Sequence, residues 1–262
     1  MPVTEDRLAP TAAQRCIIEF VRRFGLGNGG LRKYGGRLLT TLRDGPIDYD
    51  YHGLTLRFHP ELYASARHML LTPYWSERKE RAFIEARMPA DGVFLDIGAN
   101  AGFYTFFVAA RRPKATVLAF EPVEEFAKIL TGNIRSNGLD SVAVETVALS
   151  DREGTSEFNR ETQSMVFGSG KMSVRTTTLL NVLGARGIGR IDCMKIDVEG
   201  VEDRVLMPFF RRAPRQLWPR AMLLEHACAS YWEEDVLAFM TANGYRESWR
   251  SKLNMGLVLG AG

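Results

Sequence analysis

Val93-Phe94-Leu95-Asp96-Ile97-Gly98-Ala99-Asn100-Ala101-Gly102 decides the fold of this 262-residue chain. Residues 93–97 form a mostly apolar run of strand length, and the glycines after it permit a tight turn with close backbone approach. One helical crossover further on, a second apolar run ends on a carboxylate, Ala119-Phe120-Glu121-Pro122. An α/β sheet presents a nucleoside in this way, with the strand-end carboxylate on the ribose and the rest of the ligand over the glycine turn.

Outward from this stretch the sequence alternates as an α/β unit should. Strand 93–97 feeds a helix over 102–110, strand 116–120 feeds a helix over 123–136, and residues 142–149 make a third strand. An irregular segment follows over 151–175, with an edge strand at 155–158 and a mobile stretch at 165–170. Thr177 or Thr178 opens a helix that ends near residues 184–187. Residues 191–197 and 221–225 are further strands, and 232–242 is a helix closed by Asn243-Gly244. A final strand pair, 245–249 and 255–259, turns through 250–254. This terminal pair is unlike a dinucleotide fold with a separate substrate domain.

Upstream, residues 12–24 predict a helix with Cys16, Ile17, Phe20, Val21 and Phe24 as its apolar stripe and arginines opposite. Glycines at 25, 27, 29 and 30 stop it. Residues 47–58 read as a hairpin around His52-Gly53, and 75–88 as a helix with Ser76 at its N-cap. The first 45 residues carry eight Lys and Arg against four carboxylates, in a chain whose formal charge is only +3. Such a basic surface can meet phosphate, anionic glycan or lipid headgroups, or be a solvated face. The basic helix docks on the domain or on a partner subunit, and peripheral membrane contact stays open. The expected division is a basic helical and hairpin extension over 1–75 and a catalytic domain over 76–262.

Composition narrows the setting. Hydrophobic residues, Met and Cys included, make up 45% of the chain, which excludes general disorder. Cys16, Cys193 and Cys228 are odd in number and lack zinc spacing, so they read as buried thiols of a reducing compartment, with the cytoplasm the expected location. No run approaches the roughly 20 apolar residues that span a bilayer. The N-terminus lacks the basic start and apolar core of a secretion signal.

Four segments then occur in a telling order: Phe94 to Thr105, Phe120-Glu121-Pro122, Val147-Ala148-Leu149-Ser150-Asp151 with Gly154, and Ile191-Asp192-Cys193-Met194-Lys195-Ile196-Asp197-Val198-Glu199-Gly200. Together they resemble the FkbM-type family of class I S-adenosylmethionine-dependent methyltransferases, from about Trp75 to Leu259. The resemblance implies a Rossmann-like three-layer α/β sandwich with a seven-stranded, mostly parallel sheet and one antiparallel strand near the C-terminus. It implies S-adenosylmethionine as cofactor and O-methylation of hydroxyls on bacterial glycans or secondary metabolites. Asp96 can accept from the methionine ammonium, orient the glycine loop, or merely cap a turn. Gly98 and Gly102 leave room for backbone contact, and Asn100 tolerates unusual backbone angles while its amide can donate to the ligand carboxylate. Glu121 offers two acceptor oxygens to ribose hydroxyls, or is an ordinary loop carboxylate. Ser150 and Asp151 follow the third strand, where related enzymes contact adenine. The glycine turn lacks the Gly-Lys-Ser/Thr ending of a phosphate loop, which argues against ATP.

Lys195, Asp197 and Glu199 alternate, so continued strand geometry puts them on one side, unless the turn at Glu199-Gly200 redirects the last. Three charges are costly to bury together unless they pair or face a cleft. Asp197 can orient or deprotonate an acceptor hydroxyl, with Glu199 shaping the pocket. The alternative is an ion pair of Lys195 with Asp197 or Glu199 that braces the strand end. His226, beside Glu225, is a second candidate base, since an imidazole titrates near pH 6.5. Asp197 with Glu199 or Glu225 could hold a hard cation, but acidic residues alone do not establish a site, and no metal is assigned. Tyr74, Trp75, Tyr231 and Trp232 are candidates for an acceptor cleft, or for core and interface positions.

The chain lacks the Asn/Asp-Pro-Pro-Tyr/Phe segment of many nucleic-acid amino methyltransferases, and Asp197-Val198-Glu199-Gly200 argues for O-transfer. Two other readings stay open: a catalytically inactive cofactor-binding partner subunit, and a nucleic-acid methyltransferase recruited through the N-terminal arginines. Gln163-Ser164-Met165 and the Gly-Ser-Gly at 168–170 are expected to close over a ligand.

Overall fold

The computed structural model of the chain describes residues 8–24, 37–42, 44–62, 64–159 and 171–260. Helix α1 (Ala12–Phe24) forms where periodicity places it, but its packed face is Gln14, Ile18 and Val21. Phe20 and Phe24 of the predicted stripe are 55% and 59% exposed, and Cys16 is exposed as well. The face turned because two polar side chains find partners inside. Gln14 donates to the Leu39 carbonyl at 3.0 Å, and Arg22 donates to the Leu70 carbonyl at 2.8 Å. Arg22 also lies over the Tyr49 ring at 4.6 Å, so the arginine-rich face is only partly solvated.

Strands β1 (Ile47–Tyr51) and β2 (Leu54–Phe58) pair antiparallel as predicted. His52 and Gly53 both take positive φ, 53° and 92°, the condition for a two-residue turn whose twist matches the strands. Asn133 and Asn137 bond the backbone of β2, accepting from the Arg57 and Thr55 amides at 2.6 and 3.0 Å. Ile47, Tyr51 and Leu56 are at most 1% exposed and share one core with Phe94 and Val117 of the main sheet. Each aliphatic side chain buried there stabilises the junction by roughly 1.5–3 kcal/mol. Helix α2 (Ala64–Leu71), which the sequence reading did not assign, precedes α3 (Arg78–Arg87). The latter starts three residues later than expected. Glu77, at φ 50°, occupies its N-cap position without a side-chain cap, and the Ser76 hydroxyl bonds Thr72 at 2.7 Å instead.

The α/β alternation follows: β3 (Val93–Ile97), α4 (Phe103–Arg111), β4 (Thr116–Phe120), α5 (Glu124–Ser136), β5 (Val142–Glu145), β6 (Ala148–Leu149), β7 (Gly154–Asn159), β8 (Lys171–Thr177), α6 (Leu179–Ala185), β9 (Cys193–Ile196), α7 (Glu202–Arg212), β10 (Ala221–Glu225), α8 (Val236–Ala242), β11 (Tyr245–Arg250) and β12 (Asn254–Leu259). The main sheet has seven strands in the order β11-β12-β10-β9-β3-β4-β5. Neighbours run parallel except β12, which is antiparallel to both β10 and β11. This is the expected Rossmann-like α/β fold with one reversed strand. Central strands read as continuous apolar runs because helices cover both faces, and the core accordingly divides into two clusters.

Residues 142–149 are not one strand. β5 ends at Glu145, and β6 leaves the main sheet to pair parallel with β8, which pairs antiparallel with β7. Within the segment expected to be irregular over 151–175, residues 154–159 and 171–175 are strand, and the first of these contains the edge strand expected at 155–158. Residues 160–170 lie outside the described residues, and with them the expected mobile stretch and closing segment. Thr178 caps α6 by accepting from the Asn181 amide at 3.2 Å. Helix α8 starts at Val236, not Trp232, because Asp235 is its cap and accepts from the Ala238 amide at 2.9 Å. Of the three thiols expected to be buried only Cys193 is; Cys228 is intermediate. Among the described residues no helix is long and apolar enough to cross a membrane.

Candidate functional site

A cavity of about 300 Å³ opens where β3, β4, β9 and β10 end, lined by residues of their carboxyl-terminal loops, by Ser65 of α2, and by Leu253 and Asn254 of the last hairpin. Open α/β sheets bind ligands at this edge. The glycine turn forms one wall. Gly98 has φ 79°, and a Cβ there would lie 1.9 Å from the Asp197 carbonyl oxygen, so the crossing of the two loops demands glycine. The Gly98 and Ala99 amides donate to the Phe120 carbonyl at 3.2 and 2.9 Å. Asn100 sits at φ 50°, its side-chain oxygen accepting from Ser65 at 2.6 Å.

Glu121 is 4% exposed yet borders the cavity. One carboxylate oxygen accepts from the Val123 amide and the other from the Asn100 amide, each at 2.9 Å. Burial outweighs both bonds and pushes its pKa up to about 7. A carboxylate has about four acceptor positions, so each oxygen keeps capacity for a hydroxyl donor. Beside it Val147, Ala148, Leu149 and Phe158 give an apolar wall, suited to a flat ring.

Several expected ligand contacts have other roles. Asp96 is fully buried and does not line the cavity. It accepts from the Thr105 amide and hydroxyl at 2.9 and 2.6 Å, which ties β3 to the first turn of α4. Burial raises its pKa, opposed by Lys195 and Thr105. Gly102, at φ 86°, precedes α4 and gives close packing: a Cβ would fall 2.5 Å from Phe106 and 2.6 Å from Leu130. Ser150 donates to Asp151 at 3.1 Å. Neither lines the cavity, because the chain has already turned into β6 and residues 147–149 form that wall.

Charged groups meet at the other end. Lys195, Asp197 and Glu199 all line the cavity, as alternation predicts. The Lys195 ammonium donates to the Gly98 carbonyl at 2.7 Å and pairs with Asp197 at 3.5 Å and Asp96 at 3.9 Å. Burial acts to lower its pKa, but Asp197, Asp96 and Glu77 outweigh burial and raise it. Lys195 is thus held between the Gly98 carbonyl and two aspartates. Glu199 stands at φ 56° in the turn, and burial, then Asp197 and Glu202, push its pKa up to about 7. Glu225, at 8% exposure, is pushed up to about 8 by burial, then by Asp197 and Glu199.

His226 is placed off the cavity. Its ring nitrogen Nε2 lies 3.2 Å from the Ser251 carbonyl and its amide donates to Leu253 at 2.8 Å. It does not line the cavity, because successive strand-end residues face opposite sides and Glu225 takes the inward position. Tyr74, Trp75, Tyr231 and Trp232 are likewise absent from the lining. Trp75 donates to the Arg22 carbonyl at 2.7 Å and Trp232 to the buried Glu202 at 2.6 Å. Sequence reasoning missed Glu77 and Tyr104, which line the cavity and bond one another through the phenol hydroxyl. Tyr104 stood in the quoted glycine segment, but Glu77 carried no local signal.

Residues 96–247 match the methyltransferase FkbM domain. Among curated proteins, the AMB antimetabolite synthetase AmbE of Pseudomonas aeruginosa is 28% identical over 164 residues, 46% of this chain and 8% of that protein. The methyltransferase sdnD of Sordaria araneosa is 29% identical over 159 residues, 46% of this chain and 61% of its own length. The match therefore spans less than two thirds of either relative. Solved structures include a precorrin-6y C5,15-methyltransferase from Geobacter metallireducens, at 12% identity and TM-score 0.43 over 71% of this chain and 89% of that one. An O-methyltransferase from Bacillus cereus in complex with SAH aligns at 14% identity and TM-score 0.41, over 70% of this chain and 81% of that one.

Proposed function

Because the chain belongs to the methyltransferase FkbM domain family, we propose that its cavity binds S-adenosylmethionine and serves methyl transfer to a hydroxyl oxygen of a small molecule or glycan. One observation carries the reading: a buried carboxylate with spare acceptor capacity, Glu121, and a charged cluster, Lys195 with Asp197, Glu199 and Glu225, border the same cavity. The residues present fit the cofactor. Glu121 would hold the ribose hydroxyls, residues 147–149 and Phe158 the adenine, and the backbone of residues 98–100 the amino-acid end. When bound, the cofactor supplies a methyl group already activated by its sulfonium charge.

The chain's own part is positioning and proton handling. Lys195 anchors Asp197 from the Gly98 carbonyl, so the carboxylate is fixed where it orients an acceptor hydroxyl and takes its proton. Glu199 and Glu225 shape the acceptor end. The name of one curated relative, an antimetabolite synthetase, favours a small-molecule acceptor over nucleic acid. Residues 76–262 form the catalytic domain on this reading, and residues 1–75 an extension that contributes Ser65 to the wall. Three free thiols favour a reducing compartment, and the reaction is assigned to the cytoplasm.

Calorimetric titration with S-adenosylhomocysteine, wild type against Glu121→Ala, tests the reading. Binding by the wild type that the substitution weakens supports it, and justifies a labelled-methyl screen of glycans and small alcohols. A folded wild type that binds none refutes it.

A further inference from the structure

We propose that Glu199, Glu225 and Cys228 form a binding site for one borderline divalent cation of the zinc type at the acceptor end of the cavity. Their donor atoms, one from each residue, all lie within 4.8 Å of one another. They come from three places in the chain: the turn after β9, the end of β10, and the residue before the short 3-10 turn Ala229–Tyr231. Bonds of about 2.0–2.3 Å to a tetrahedral ion set ligand atoms roughly 3.3–3.8 Å apart, so side-chain shifts of about 1 Å close the site.

A second observation is independent of that spacing. Glu225 is 8% exposed, and its Oε2 is buried with no hydrogen-bond partner. A carboxylate oxygen stripped of water and left without a donor is costly, and a cation would satisfy it. The nearby cation, Lys195, is already engaged by the Gly98 carbonyl and Asp197. The Cys228 thiol donates to Glu199 at 3.9 Å, so sulfur already faces one of the two carboxylates.

The donor set chooses the metal. Two carboxylate oxygens with a thiolate suit a borderline ion better than magnesium or calcium, which prefer oxygen alone. The thiol proton, and any carboxyl proton present, leave to solvent on binding. Glu199 and Glu225 line the cavity, so an ion held by them would border that space. The three ligands themselves do not depend on the methyl-transfer reading.

Cobalt(II) is the probe, added to the metal-free full chain and followed by the near-ultraviolet thiolate-to-cobalt absorption, with zinc as competitor. One equivalent is expected to bind with that band and to be displaced by zinc. The band is lost in Cys228→Ser, or in Cys228→Ala should the serine variant not fold, and kept in Cys16→Ser. Glu225→Gln weakens cobalt binding at least tenfold, with circular dichroism certifying the fold. A folded wild type without the band, a band that survives loss of Cys228, or unchanged affinity in Glu225→Gln overturns the site. S-adenosylhomocysteine binding by the same metal-free sample reads the methyl-transfer proposal separately.

Discussion

Glu121→Gln separates the fold's interest in a buried carboxyl from the ligand's. In the folded chain burial lifts the Glu121 pKa from 4.5 to about 7 against the amides of Val123 and Asn100. A carboxyl that keeps its proton longer when folded contributes most stability below pH 4.5, and that contribution is lost as pH rises to 7. The full loss is roughly 3 kcal/mol at 1.36 kcal/mol per pKa step, and about 2.5 kcal/mol of it falls between pH 5 and pH 8. Glutamine does not titrate. It leaves one of the two amides without an acceptor, at a cost of about 1–3 kcal/mol that does not change with pH. The variant is therefore expected to be less stable than wild type at pH 5, and to gain on it by about 2.5 kcal/mol at pH 8, some 5–10 °C in Tm. Thermal unfolding by circular dichroism, without cofactor, at several pH values reads this directly. Tm profiles that run parallel for the two proteins would refute the buried carboxyl. In the same variant affinity for S-adenosylhomocysteine falls about 10- to 100-fold, because charged acceptors for two hydroxyls are lost.

Other substitutions test the scaffold and the site. Gly98→Ala puts a Cβ 1.9 Å from the Asp197 carbonyl, and is expected to abolish soluble folded protein or cost more than about 3 kcal/mol in urea unfolding. Gly132→Ala, at an exposed position of α5 with nothing within 4 Å of the new atom, should raise stability by about 0.4–1 kcal/mol in the same assay. Thr105→Val removes the 2.6 Å hydroxyl bond to buried Asp96 and should lower the urea-derived stability by about 1.5–3 kcal/mol. Once an acceptor is found, Asp197→Asn is expected to lower kcat/KM by about 100-fold or more, whereas His226→Gln stays within about tenfold of wild type. The reverse order would restore the histidine as base.

The main sheet was legible because its strands report themselves locally. Val93–Ile97, Thr116–Phe120 and Ala221–Glu225 are apolar runs closed by turn residues, and all three have the predicted bounds. Elements failed where tertiary partners overrule local pattern. Residues 142–149 carry no breaker, yet the chain leaves the sheet after Glu145 because β8, far along the sequence, offers β6 a partner. Pro208 inside α7 argues locally against a helix, but the helix forms around seven buried residues. The stripe of α1 was misplaced by one position, since Gln14 and Arg22 look like surface residues until Leu39 and Leu70 supply carbonyls.

Site residues divide by the same rule. Gly98, Asn100 and Glu121 reach the cavity because strand-end position alone points them there, and Lys195, Asp197 and Glu199 because alternation does. Asp96 is at an equivalent strand end and faces away from the cavity, and the reason is electrostatic. Its Oδ1 lies 3.9 Å from Lys195 and its Oδ2 takes both donors of Thr105. Were Asp96 turned toward the ligand, Lys195 would lose a counter-charge and Thr105 a buried acceptor, each costly in a desolvated core. Thr105 lies nine residues downstream within the glycine segment, but Lys195 lies 99 residues downstream on β9, so the glycine segment alone does not assign Asp96. Thr105→Val decides the matter beyond its stability effect. If Asp96 braces the loop, loosening it should weaken S-adenosylhomocysteine binding even though Thr105 does not line the cavity; unchanged affinity in a destabilised protein would show that the brace serves the fold alone.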